Sequence, residues 1–175
     1  MTSNSFTKTL KSHIAFCLIA ISFTLNSCGS MVKSMTVANA TVEKKAIPPD
    51  FGKGNSTLIC VISGQKSYDN YMKKLVKKEY HGKYEFVLKE NLYSEKYKNH
   101  DTYRYVFDRN VSVNSNYVFN PQTNRGENRK TTSSAFFITD RKKGTTYKCP
   151  MTSSFFAGII HGYVINLEKE RVKSK

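Results

Sequence analysis

Acidic residues are scarce in this sequence. Its 175 residues hold 13 Asp and Glu against 28 Lys and Arg, a formal charge of +15. Such a field favours anionic partners. Long apolar runs are missing too. The longest, Ile14 to Leu25, has 12 residues. As a helix rising ~1.5 Å per residue it spans about 18 Å, well short of a ~30 Å hydrocarbon core. That length argues against a permanent membrane-spanning helix.

Signatures of catalysis are absent as well. There is no Gly-x-Ser-x-Gly and no Gly-rich phosphate loop. Ser63-Gly64-Gln65-Lys66 matches the Ser-x-x-Lys pattern, but so does Ser30-Met31-Val32-Lys33. The partner motifs of that chemistry are missing, since Lys143-Gly144-Thr145 has the wrong order and no Ser-Asp-Asn occurs. His81, His100 and His161 are scattered, and no Cys pair sits two or three residues apart. Metal ligation needs closer spacing, so no metal and no cofactor are expected. Internal repeats and extended low-complexity tracts are also lacking.

What is present begins at the amino terminus. Met1 to His13 carries Lys8 and Lys11 and no acid. The apolar run follows, and then the chain turns small and polar at Leu25-Asn26-Ser27-Cys28-Gly29. Basic, apolar and small-residue regions in that order form a secretory leader over residues 1–27. Leu25, Ser27 and Cys28 resemble the lipobox of bacterial lipoproteins, with Asn26 departing from the usual Ala, Ser or Thr. The resemblance implies cleavage before Cys28 by signal peptidase II, with a diacylglyceryl thioether and an N-acyl chain such as palmitate on Cys28. Two or more chains, at ~0.8 kcal/mol per buried methylene, anchor stably where one is reversible. Gly29-Ser30 rather than an Asp follows the Cys. By resemblance to sorted lipoproteins this points to the outer membrane. The resemblance covers only the first 30 or so residues and names a processing class.

Removing Lys8 and Lys11 with the leader leaves 148 residues at +13. In a cell envelope the anionic partners are lipid headgroups, peptidoglycan or other polyanions, and acidic proteins. Nucleic acid is not expected for an exported chain. Cys60 and Cys149 remain after Cys17 and Cys28 are accounted for. They form either one disulfide or, as Cys60 inside an apolar run suggests, two buried thiols.

Residues 28–56 read as a lipidated start and flexible tether, small and polar with Ile47-Pro48-Pro49 extended. A single domain follows over 57–175. Leu58 to Ile62 reads as a strand buried on both faces. Tyr68, Tyr71, Met72, Leu75 and Val76 recur at helical spacing, with Lys73, Lys74, Lys77 and Lys78 opposite. Ser67 is the expected N-cap, with Asp69 favourable in the first turn and Gly82 the C-cap. Tyr84, Phe86 and Leu88 alternate as a second, parallel strand. Tyr103 to Phe107 and Ala135 to Thr139 read as strands. Asp140 to Gly144 reads as a turn, and Thr145 to Cys149 as a strand ended by Pro150. Phe155 to Leu167 reads as a helix whose Gly158 and Gly162 allow close packing on the sheet. Residues 109–132 read as a long loop, with Val111, Val113, Tyr117, Val118 and Phe119 hinting at a hairpin. The fold class is α+β: a small mixed sheet of about five strands with two helices packed on it.

The candidate binding surface is the stretch where tyrosine and cation interleave: Tyr93, Lys96, Tyr97, Lys98, Tyr103 and Arg104. Aromatic faces beside cations suit sugar rings and acidic groups. The expected function is a non-catalytic, lipid-anchored binding or scaffold domain of the cell envelope. Its order of elements looks like the small domains of accessory lipoproteins that regulate cell-wall enzymes. The alternatives are a basic polyanion- or glycan-binding lipoprotein, or a small envelope hydrolase. A hydrolase would need paired carboxylates from among Glu85, Glu90, Glu95, Asp101 and Asp108.

Overall fold

A computed structural model describes residues 27–174. Residues 1–26 of the leader, including Leu25, lie outside the described residues. The elements are α1 (Ser27–Asn39), β1 (Leu58–Ile62), α2 (Lys66–Glu79), β2 (Tyr84–Leu88), β3 (Tyr105–Asn120), β4 (Arg125–Asp140), β5 (Thr145–Ser153) and α3 (Phe156–Lys173). Short 3₁₀ turns occupy Lys89–Asn91 and Glu95–Tyr97. This is the expected α+β class with five strands, and it has a third helix. No helix among the described residues is long and apolar enough to cross a membrane.

The strands form one open mixed sheet in the order β2-β1-β3-β4-β5. β1 pairs in parallel with both β2 and β3, while β3, β4 and β5 are antiparallel. β1 is central, so Leu58, Ile59, Cys60 and Val61 are buried on both faces. The helices cover one face over the main core, which includes Cys60, Met72, Phe107, Phe136 and Ile160. The segment 89–103 covers the other over a smaller cluster of Ile59, Val61, Val87, Tyr97 and Val106.

In α2, Tyr68, Met72, Leu75 and Val76 are buried as the periodicity requires. The expected caps differ. The helix starts one residue before Ser67, and Gln65 holds the N-cap without a side-chain bond. Asp69 instead accepts the Ser63 backbone N–H at 2.9 Å. The helix ends into extended Tyr80, and Gly82 has another role. A Cβ there would lie 2.6 Å from Arg171 Cδ and 2.7 Å from the Tyr80 ring.

Residues 28–56 are not a free tether. α1 packs along α3, and Gly158 and Gly162 make room for it rather than for the sheet. A Cβ on Gly158 would meet the Gly29 carbonyl at 3.0 Å, and one on Gly162 the Lys33 carbonyl at 2.6 Å. Asn166 Nδ2 donates to the carbonyls of Val37 and Ala40, both at 2.8 Å. Ala40, Ala46, Ile47 and Phe51 then enter the main core, where Phe51 meets the Tyr105 ring at 4.9 Å. Burying Ile47 and Phe51 contributes roughly 1.5–3 kcal/mol each. Gly158 and Gly162 of α3 let the two helix backbones approach, and α1 meets them with Val32, Thr36 and the Gly29 and Lys33 carbonyls.

Residues 109–132 are not a loop either. They extend β3 and β4 into a two-stranded arm, paired in register from Arg109↔Phe136 to Asn120↔Arg125. Asn124 closes its turn at φ 49°, a conformation asparagine tolerates better than most residues. Beyond Pro150, β5 continues to Ser153 through a register shift opposite Phe136. β5 is an edge strand, where proline removes no required ladder bond. The Gly144 turn forms as expected at φ 65°. Cys60 and Cys149 are separate buried thiols, the second of the two alternatives. Burial raises the pKa of both.

Candidate binding site at the root of the hairpin arm

The interleaved tyrosines and cations do not make one open surface. Glu85 gathers three of them. It accepts from Lys96 Nζ at 2.6 Å, and from the hydroxyls of Tyr97 and Tyr103 at 3.1 Å each. Lys96 chiefly holds its carboxyl below the usual range. Tyr97 is buried and packs edge-on against Tyr103 at 5.0 Å. Arg104 grips the fully buried Asp140 through two bonds, Nε to Oδ1 at 2.9 Å and Nη2 to Oδ2 at 2.7 Å. Asp50 adds a contact at 3.3 Å. Lys98 pairs with Glu95. Tyr93 stands out in solvent, 80% exposed, and Lys96 and Lys98 are exposed at their ion pairs.

The carboxylates are distributed rather than paired with one another. Glu85, Glu95, Asp101 and Asp108 each meet a different lysine: Lys96, Lys98, Lys142 and Lys89. His161 Nε2 lies 2.8 Å from Glu79, and His81 Nδ1 lies 3.3 Å from Glu168. Among the described residues, no three His, Cys, Asp or Glu side chains come close enough to share a metal ion.

A different locus carries a binding geometry. β1 runs into α2 and on to β2 at one side, while β3 lies on the other side and runs into the arm. The chain therefore diverges at the carboxyl ends of two adjacent parallel strands. Open sheets with parallel strands form their ligand crevices at such points. Two clefts meet here. One of about 250 Å³ is lined by Ser63, Gln65, Tyr68, Lys89 and Asp108. The other, about 410 Å³, is lined by Val111, Lys130, Ser134, Ser154 and Phe156. Arg109 lines both.

Two aromatic rings lie against Arg109. Its guanidinium carbon lies 3.5 Å from the centre of the Tyr68 ring and 5.6 Å from that of Phe156. Nη2 donates to Gln65 Oε1 at 2.8 Å and Nη1 to Ser134 Oγ at 3.4 Å. The residue is 9% exposed, and burial lowers its pKa. Asp108 and Asp69 attract it, yet its side-chain bonds go only to neutral oxygens. A desolvated cation costs several kcal/mol unless paired, and stacking returns about 2 kcal/mol. The remaining deficit favours an incoming anion. Arginine is suited to carboxylate or phosphate through two parallel bonds.

Arg109 was not among the residues singled out from the sequence, because it stood at the start of an apparent loop. The alternation Tyr105, Phe107, Arg109 carries the signal, since period two places it on the helix side of the sheet.

From this root the arm projects with both edges unpaired. β1 pairs with β3 only at Tyr105 to Phe107, and β5 reaches β4 only from Ser134 onward. Val111, Val113, Tyr117 and Phe119 share the face of Tyr105 and Phe107, where helices no longer cover it. All four are exposed. Tyr117 lies across Gly126, where a Cβ would fall 1.7 Å from its hydroxyl.

No protein-family model, no curated protein and no solved structure matches this chain.

Proposed function

We propose that this protein is a lipid-anchored component of the cell envelope, acylated at Cys28 and carried on the outer membrane. Its domain acts by binding rather than catalysis. The ligand is an envelope component that presents an acidic group at the root of the arm. The observation that carries this reading is Arg109, a desolvated guanidinium bonded only to neutral oxygens where two clefts meet. The groups suited to chemistry have structural partners instead. Glu85 serves Lys96 and two tyrosines, and burial disfavours the thiolate of Cys60.

Crosslinking in intact cells tests the reading, with an affinity tag after Lys175 and mass spectrometry of what is recovered. A reproducible protein or glycan partner, lost in Arg109→Gln and weakened in Arg109→Lys, which keeps the charge but not the two parallel bonds, is the expected result. Equal recovery from all three proteins would defeat it. Acylation is tested separately: Cys28→Ser should abolish palmitate incorporation and change membrane fractionation.

A second reading, a polyanion binder without a defined pocket, draws on the outer face of α2. Lys74, Lys77 and Lys78 lie exposed there with no packed element over them. Binding by that face alone would fall steeply between low and moderate salt and would ignore Arg109.

A further inference from the structure

Seven of the eleven large exposed apolar side chains among the described residues lie on the arm or beside its root, the others being Met31, Met35, Tyr93 and Val172. Val111, Val113, Tyr117 and Phe119 line the arm, and Phe155 and Tyr71 stand beside its root. The connections are direct. Phe156 shares the cleft with Val111 and Lys130, and the Tyr71 ring meets Phe156 at 5.9 Å. The beginning of α1 is at the same end, for the Gly29 carbonyl lies against Gly158, two residues beyond Phe156. Gly29 follows Cys28 in the chain, and α1 is packed along α3 rather than swinging on a tether.

The stripe from Val111 to Phe119 extends over eight residue steps, about 26 Å at ~3.3 Å each. An exposed apolar face of this length rimmed by polar residues marks an interaction surface. Lys130 lies on the stripe face opposite Ser115, while Arg125 and Arg129, paired with Asn120 and Asn116, belong to the other face of the arm near its tip. The sole acid of the arm, Glu127, is engaged by Arg129. An apolar face backed by a basic one is the composition of an interfacial membrane element. Each nearby Lys or Arg adds roughly 1 kcal/mol on an anionic surface.

We infer that the helix-facing side of the arm lies on an anionic phospholipid surface, beside the lipid on Cys28, and sets the orientation of the domain on its membrane. The inference rests on the lipid-anchored reading. It adds a second, non-covalent contact that short helix packing between α1 and α3 brings within reach of the same bilayer. The arm lies along the headgroup boundary with Val113, Tyr117 and Phe119 facing the acyl chains, and Arg109 at the root faces the headgroup layer.

The test uses the acylated protein in vesicles of phosphatidylethanolamine and phosphatidylglycerol. An environment-sensitive fluorophore is placed on Phe119→Cys and, for reference, on Glu95→Cys in the exposed turn at the opposite face of the sheet. Cys60 and Cys149 are buried and leave the label to the introduced thiol. The label at 119 should shift to the blue and be quenched several-fold more by spin-labelled lipid than the label at 95. Val113→Ser combined with Phe119→Ser should loosen the orientation without moving the thermal midpoint. A label at 119 as water-exposed as that at 95, on protein whose mass shows intact acylation, would overturn the inference and leave the anchor standing. A blue shift without vesicles, together with a doubled mass, would overturn it in favour of a second copy on the arm. If Cys28 proves unmodified, the anchor reading fails. The same vesicles added to that protein, with Cys28 and any retained Cys17 replaced by Ser so that the label sits only at 119, then test the arm alone, and an unshifted label overturns the inference.

Discussion

The Arg109 guanidinium stacks on Tyr68 at 3.5 Å while its hydrogen bonds reach only Gln65 and Ser134. A cation held this way contributes recognition rather than stability. Replacing buried ionic groups with apolar residues of similar volume is often neutral or stabilising.

Arg109→Met should therefore leave the unfolding free energy within about 1 kcal/mol of the parent, measured by denaturant titration, while capture of the anionic partner falls. A loss on the order of 3 kcal/mol or more would show that the guanidinium is a structural tie.

Gly162→Val should destabilise the protein by roughly 1–3 kcal/mol. A Cβ at that position meets the Lys33 carbonyl at 2.6 Å and Thr36 at 2.7 Å, so the helices must separate. If residues 28–56 were a tether, the substitution would leave the melting temperature unchanged. Thermal unfolding decides between the two.

Stability should fall in acid through Asp140. Burial raises its pKa, but the Arg104 bonds and charge, with the Lys142 and Lys143 backbone N–H groups, outweigh that and leave it below the ordinary value. A carboxyl depressed in the folded state stabilises above the unfolded pKa, near 3.9, and loses that contribution as pH falls through the folded one. Stability measured downward from about pH 5 should decline, and Asp140→Asn should flatten that decline. An unchanged slope in the variant would assign the acid limb to other carboxylates.

Glu85→Gln should unsettle the 89–103 cover. Glu85 is the common acceptor for Lys96, Tyr97 and Tyr103, and its depressed pKa follows first from the Lys96 bond. The expected result is faster amide exchange in residues 92–103 at neutral pH, with β3 and β4 unaffected. Uniform protection across both regions would contradict the role given to Glu85.

Cys60 and Cys149 should resist alkylation in the folded protein and react on unfolding, because both are buried thiols. Their burial also disfavours the reactive thiolate. A mass lower by two hydrogens before reduction would instead reveal a disulfide.

The strand-helix-strand order from Leu58 to Leu88 was legible because each element carries its own period. A run of five apolar residues, then apolar positions three and four apart, then alternation, are local statements that side-chain burial merely completes. The Asp140 to Gly144 turn was legible for the same reason, since Gly144 supplies a positive φ wherever the strands lie. The α1 helix was not. Val32, Thr36 and Ala40 make too thin an apolar stripe among Gly, Ser and Lys, and they become a packing surface only because Gly158 and Gly162 stand opposite. The tyrosine and lysine stretch misled in the opposite sense. Its composition suits an open binding face, but Glu85 and Asp140 approach it from other strands and absorb its polar groups. The sequence by itself determined the charge, the apolar leader and the periods of the central elements, all of which depend on neighbours in the chain. Only the tertiary structure decided which cations are neutralised, which apolar side chains are covered, and that the Arg109 side chain bonds to no carboxylate among the described residues. Those depend on residues tens of positions away, brought within a few ångströms by the folding of the sheet.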